Sequence, residues 1–211
     1  LTGGASNANQ DGMKIRSVCV YCGSSVGRDP SYATAADRLG TAFANAGVRL
    51  VFGGGSVGLM GVVARAALRL GGEVNGIVPA FLKEREVALS EVSELIVTRD
   101  MHERKRLMFE RSDAFVALPG GIGTLEEVVE MMTWVQLDRH RKPIVLVSHD
   151  GFWEPLIALL DHMVATGFLH IATNGPGLYQ VVRDVDDVLP TLERAARALP
   201  EPEAEAAPDL M

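Results

Sequence analysis

The chain has 211 residues, 47% of them hydrophobic, and a formal net charge of −7. That length carries one compact domain or at most two small ones, and the charge leaves no basic footprint for nucleic acid. No apolar run approaches the roughly 20 residues of a membrane helix, and no secretory signal is visible, so neither a nucleic-acid nor a membrane partner is expected and the location is expected to be cytoplasmic.

Residues 1–12 are small and polar and read as a disordered N-terminal segment. From residue 13 to 198 strands and helices alternate. Strands are predicted at 15–22, 48–52, 73–78, 94–98, 114–118, 143–148 and 178–182. Helices are predicted at 32–46, 59–70, 101–111, 125–137, 153–166 and 185–198, the last with Pro190 as a point of interruption. The tail, 199–211, holds Glu201, Glu203, Glu205 and Asp209 without a Lys or Arg and reads as acidic and mobile.

The strands are continuous apolar runs such as Ile144-Val145-Leu146-Val147. That is the pattern of parallel strands covered on both faces. Regular βαβ alternation predicts a single α/β, Rossmann-like, doubly wound domain with a mainly parallel sheet and helices on both faces. Ligands on such sheets bind at the carboxyl ends of the strands, which is where the glycine-rich turns fall.

The most informative stretch is 114–130, AFVALPGGIGTLEEVVE. A buried strand leads through Pro119-Gly120-Gly121-Ile122-Gly123-Thr124 into a helix. Backbone N–H groups left uncovered there, with the helix dipole behind them, favour a phosphate. Glu127 follows one turn later as a candidate catalytic carboxylate. The same residues also fit a capping box, with Thr124 at the cap and Glu127 closing it.

A second cluster, Gly53-Gly54-Gly55-Ser56-Val57-Gly58, fits the dinucleotide pattern G-x-G-x-x-G. Glu73 lies 20 residues on, but it precedes its strand, whereas a ribose-binding acid should end one. A phosphate- or nucleotide-contacting wall is the better reading than a nicotinamide site. No Walker pattern is present. In Asp100-Met101-His102-Glu103-Arg104-Lys105-Arg106, Asp100 and Glu103 form a cap, and three cations follow where the helix dipole disfavours them. Arg104 is the best ligand candidate, because a guanidinium pairs with carboxylate or phosphate in a fixed fork.

Other polar groups say less. Ser24 and Ser25 follow the first strand at the ligand edge. Glu86 sits in a charged run that reads as solvated surface. Met101, Met108, Met131 and Met132 read as core or interface fillers. Cys19 and Cys22 have C-x-x-C spacing, but no second ligand pair for zinc exists and Cys19 lies inside an apolar run. Reduced, partly buried thiols are expected. The five histidines show no metal-ligand pairing.

The motifs at 20–25, 53–61, 101–105 and 119–127, with Trp134-Val135-Gln136-Leu137 and Lys142-Pro143, resemble the Lonely Guy family. These are cytokinin riboside 5′-monophosphate phosphoribohydrolases, long mislabelled lysine decarboxylases. The resemblance covers about residues 15 to 190. It implies a Rossmann-like homodimer that splits the N-glycosidic bond of N6-modified AMP into free base and ribose 5-phosphate, without metal or organic cofactor. Carried over, Arg104 and Glu127 are the catalytic pair, and Gly120, Gly121, Ile122, Gly123 and Thr124 hold the phosphate. Glu86, Lys105, Glu126 and Thr133 match nucleotide-binding positions, with Ser24 and Gly54 beside them. Ile122 stands where plant members often have tyrosine. Lysine decarboxylation is a poor rival, because none of the four lysines sits in a pyridoxal phosphate motif. The alternative of another class is a nucleotide- or cofactor-carrier protein on the same fold.

Overall fold

The computed structural model describes residues 14–83, 88–170 and 177–198. The expected N-terminal segment, the acidic tail and Glu86 lie outside the described residues. Seven strands form one sheet in the order β4-β3-β2-β1-β5-β6-β7, with every neighbouring pair parallel. They are β1 (Ser17–Tyr21), β2 (Arg49–Phe52), β3 (Val74–Pro79), β4 (Glu94–Thr98), β5 (Ala114–Ala117), β6 (Ile144–Val147) and β7 (Gln180–Val182). In the middle of the sheet Val18 of β1 lies opposite both Leu50 and Ala114.

Among the described residues the α-helices are α1 (Pro30–Ala46), α2 (Gly58–Arg69), α3 (Ala80–Lys83), α4 (Met101–Glu110), α5 (Ile122–Gln136), α6 (Glu154–Ala165) and, after the last strand, α7 (Val188–Arg197). Residues of α1, α2 and α7 share one buried core with Val18 and Val20, while those of α4, α5 and α6 pack with Cys19 and Tyr21 on the other face. The alternation of side chains along a strand makes this division. It also separates the two cysteines: Cys22 belongs to the first core and Cys19 to the second. Both are buried and free, as expected for reduced thiols.

The element boundaries differ from expectation where a cap decided them. α1 starts at Pro30, because Asp29 accepts a hydrogen bond from Ser31 N at 2.8 Å and proline fits the first helical position. α5 starts three residues earlier than expected, at Ile122, with Gly121 as its N-cap and no side-chain cap. Thr124 is therefore inside the first turn, and the capping box is not formed. Pro190 does not interrupt α7. It sits in the first turn, where its missing N–H costs no intrahelical bond. The four-residue α3 was too short to leave a periodic signal.

Candidate active site

The chain runs outward from β1 through β4, then returns to place β5 on the other side of β1. Loops diverge at such a reversal and leave a crevice at the carboxyl ends of the strands. Here the loop after β1 meets the loop after β5. Gly23 N donates to Pro119 O at 3.1 Å. The contact is close enough to exclude a side chain: a Cβ on Gly120 would stand 2.9 Å from Gly23 N, and 2.2 Å from Thr124 Oγ1 in the helix behind it. Thr124 is buried, and its hydroxyl backs the turn from inside.

A cleft of about 250 Å3 opens beside this turn, lined by residues 23–27, Tyr32, Leu59, Phe152 and 119–121. Ser24 and Ser25 are on its wall. The amides that begin α5 have no side-chain cap. The first amides of a helix also lack intrahelical partners, so this end suits an anion.

Arg104 and Glu127 are not in the lining of that cleft. They approach the same loops from the α4 and α5 face. Asp100 caps α4, accepting from Glu103 N at 2.8 Å, and so fixes the start of the turn that presents Arg104. Arg104 Nη2 lies 3.2 Å from Glu127 Oε1, with the two side chains only 9% and 10% exposed. Arg104 Nη1 donates to Met101 Sδ at 3.8 Å, a weak acceptor. Arg104 Nε is buried with no hydrogen-bond partner. Buried donors left in this condition are uncommon in native proteins and point to a group that completes them.

Tyr21 and Cys19 form the floor beneath the pair. The Tyr21 and Phe115 rings stack 5.9 Å apart. Burial pushes the Cys19 thiol up, and the Glu127 charge adds to the effect. Burial likewise pushes the Tyr21 phenol up, with smaller contributions from Cys19 and Glu127. Both shifts favour the neutral thiol and phenol.

Lys105 faces another way. Its Nζ lies 2.6 Å from Glu126 Oε1 and 3.1 Å from Glu130 Oε2. Burial pulls its pKa down, but the hydrogen bonds of Glu126 and Glu130 outweigh that and raise it.

The family model described as "Possible lysine decarboxylase" matches residues 60–192. The cytokinin riboside 5′-monophosphate phosphoribohydrolase LOG1 of Arabidopsis thaliana is 42% identical over 188 residues, 87% of this chain and 88% of that one. The LOG enzyme of the same description from Oryza sativa subsp. japonica is 43% identical over 185 residues, 85% of this chain and 76% of that one. The chain belongs to the Lonely Guy family. Among solved structures, the Moco carrier protein from Chlamydomonas reinhardtii has a TM-score of 0.66 at 23% identity, covering 88% of this chain and 100% of that one. A likeness at that identity carries the fold alone.

The decarboxylase wording finds no match in the lysines. Lys105 is held by two carboxylates, Lys142 Nζ donates to Phe109 O at 2.7 Å, and Lys14 and Lys83 are exposed.

Among the Lonely Guy motif residues, the fold brings together Arg104, Glu127, Gly120, Gly121, Gly123 and Thr124 around the start of α5, with Ser24 across the cleft. Ile122 is 81% exposed at the same helix end. Lys105 and Glu126 are paired with each other on the flank. The carbonyl of Gly54 accepts from Leu89 N at 3.0 Å, which ties the segment after β3 to the site. Thr133 is set apart. It is six residues beyond Glu127, about 9 Å along the helix, exposed, and its hydroxyl donates to Val129 O at 2.8 Å.

Two neighbours of Arg104 escaped sequence reasoning. Met101, expected as a filler, places its sulfur on the guanidinium. Gly53 lies directly against the guanidinium. A glycine run signals turn geometry, and nothing in it distinguishes a residue whose missing side chain makes room for another.

Proposed function

We propose that this chain hydrolyses the N-glycosidic bond of adenosine-type nucleoside 5′-monophosphates, N6-modified ones included, releasing the free base and ribose 5-phosphate. The observation that carries the reading is the buried Arg104–Glu127 pair set beside an uncapped helix N-terminus. The relatives at 42% and 43% identity with that named activity support it.

The phosphate sits on the α5 amides contributed by residues from Gly121 to Thr124, and that anchorage positions the sugar. As the C1′–N bond breaks, its electron pair leaves with the base and positive charge builds on the ribose ring. Glu127 faces that charge and stabilises it. Water supplies the oxygen that bonds to C1′ and keeps one proton on the new hydroxyl; its other proton passes to the Glu127 carboxylate and from there to the departing base, which leaves Glu127 ionised again. Arg104 holds Glu127 through Nη2 and keeps Nε and Nη1 for the substrate. Lys105, Glu126, Ser24 and Gly54 border the nucleotide, and the family resemblance adds Glu86 as a nucleotide-binding position.

The active unit is a homodimer. α6 contributes no buried residue, although its sequence is largely apolar, and Leu159, Met163, Val164 and the following Phe168 are exposed. On the adjoining helix Val129 is exposed, and Leu137 just after it. An apolar patch of this kind marks a protein interface, and a partner seated there brings Thr133 into an assembled site. Among the described residues no helix is long and apolar enough to cross a membrane. The buried free cysteines fit a cytoplasmic location.

The test is release of base from AMP and from N6-isopentenyl-AMP, with ribose 5-phosphate measured in parallel. Stoichiometric appearance of both products supports hydrolysis. Tight retention of a nucleotide with no ribose 5-phosphate would instead assign the chain to the carrier class.

A further inference from the structure

Gly53 and Gly54 end β2 side by side, and they are glycines for different physical reasons. Gly54 has φ +79°, a left-handed conformation that side chains disfavour. Gly53 does not lie in the left-handed region, so its backbone would accept alanine. What it cannot accept is the space a Cβ needs. A Cβ built there stands 2.3 Å from Arg104 Nη2 and 3.2 Å from Met60 Sδ. The nitrogen that a Cβ would strike is the one facing Glu127 Oε1 at 3.2 Å. Met101 Sδ closes the other side, 3.8 Å from Nη1.

The guanidinium therefore lies in a slot whose floor is a missing side chain. Met101 on its flank and Met60 beside the glycine are thioethers, which are soft, apolar and poor acceptors. Such walls hold the group by shape while leaving its unused donors uncommitted. A polar wall would have consumed them.

We propose that Gly53 is a positioning residue for catalysis, a vacancy that admits Arg104 Nη2 and sets the guanidinium against Glu127, with Met101 as its wall. This rests on the hydrolase reading above. It predicts that adding one methyl group at residue 53 pushes the guanidinium off Glu127 without touching the amides at the start of α5 that hold the phosphate.

The experiment is a double-mutant cycle with Gly53→Ala and Arg104→Lys, using AMP and isopentenyl-AMP as substrates. Wild-type release of ribose 5-phosphate is measured first, and its absence would remove the hydrolase reading rather than this one. With an active wild type, Gly53→Ala is expected to lower kcat about 100-fold, the scale set by misplacing a catalytic group by an ångström. KM should stay within about threefold, as for a loss confined to the transition state. In the Arg104→Lys background, where no Nη2 exists, Gly53→Ala should cost nothing further. A Gly53→Ala enzyme with wild-type kcat overturns the proposal, and so does an equal loss in both backgrounds. If Gly53→Ala fails to fold, the melting temperature of the double variant decides. Recovery in Gly53→Ala/Arg104→Lys supports a clash with the guanidinium, and failure of both to fold overturns it.

Discussion

Arg104 and Glu127 reach each other from two different helices, α4 and α5, across the carboxyl ends of the central strands, and meet 3.2 Å apart with about a tenth of each side chain exposed. A buried ion pair is seldom a source of net stability, since desolvating both charges offsets most of their attraction. Under the proposed hydrolase reading its place in the fold is chemical rather than stabilising. Glu127→Gln keeps the shape and removes the charge. We expect kcat to fall by about 100- to 1,000-fold, the range for losing one preorganised electrostatic contact. Stability should fall by about 3 kcal/mol, because Arg104 keeps its charge without its partner. A fold with a typical stability of roughly 5–15 kcal/mol survives that. Product assays and urea melts on one preparation separate the two effects. A fully active Glu127→Gln would remove this carboxylate from the mechanism.

Lys105 makes a contrasting prediction. Its ammonium is committed to Glu126 and Glu130 on the rim of the site. It can steady a bound nucleotide but does not lie over the Arg104–Glu127 pair. Lys105→Ala should raise KM for the nucleotide about tenfold, the equivalent of one charge-assisted hydrogen bond, while kcat changes little. Steady-state kinetics on isopentenyl-AMP tests the split, and a collapse of kcat with unchanged KM would place Lys105 with the chemistry instead.

Much of this was legible in the chain itself. Apolar runs such as 144–147 announced buried parallel strands because both faces of the sheet are covered, and the glycine turns announced where two loops close on each other because only glycine lets them approach as 23 and 120 do. The start of α5 was misread because Thr-x-x-Glu has the spacing of a capping box. The loop geometry instead begins the helix at Ile122 and leaves Gly121 as the cap. Local pattern cannot reveal which nitrogen of Arg104 lies over Gly53, since that contact joins residues 51 apart in sequence and depends on how α4 is laid against β2. Thr133 shows the same limit: within one chain it stands away from the glycine turn.

His140 offers a prediction about pH. Its Nε2 lies 3.0 Å from Met131 O, and its Nδ1 accepts from Lys142 N at 3.1 Å. That second bond requires an unprotonated Nδ1, so the native imidazole is neutral. Burial lowers its pKa from the ordinary 6.5, and the Lys142 charge adds to this, against the opposing Met131 hydrogen bond. The unfolded chain takes up a proton near pH 6.5 that the native state refuses, so stability is fully present above that pH and declines below it until the folded pKa is passed. His140→Gln cannot titrate. Wild type should therefore melt higher than His140→Gln at pH 8, with the gap narrowing as pH falls from about 6.5. Melting curves across that window check it, and a gap independent of pH would mean the ring is protonated in both states or in neither.

The assembly prediction rests on α6. A helix reading EPLIALLDHMVA lays Leu156, Ile157 and Leu160 half-buried against the core, yet none of its residues is fully buried within the chain, and Phe168 beyond it is 86% exposed. Leaving Phe168 in water forgoes up to about 1.5–3 kcal/mol, and leaving Leu159, Met163 and Val164 half covered forgoes roughly half that for each. A second copy offering the same patch about a twofold axis covers them symmetrically. Sedimentation should give twice the 22.6 kDa chain mass. Met163→Asp with Phe168→Asp should shift the protein to monomer, because each copy would then place two carboxylates in the apolar seam. Hydrolysis should fall with it if Thr133 of the second copy completes the site, whereas a monomer of undiminished kcat would confine the whole reaction to one chain. A variant still sedimenting at twice the chain mass would show that another surface makes the contact.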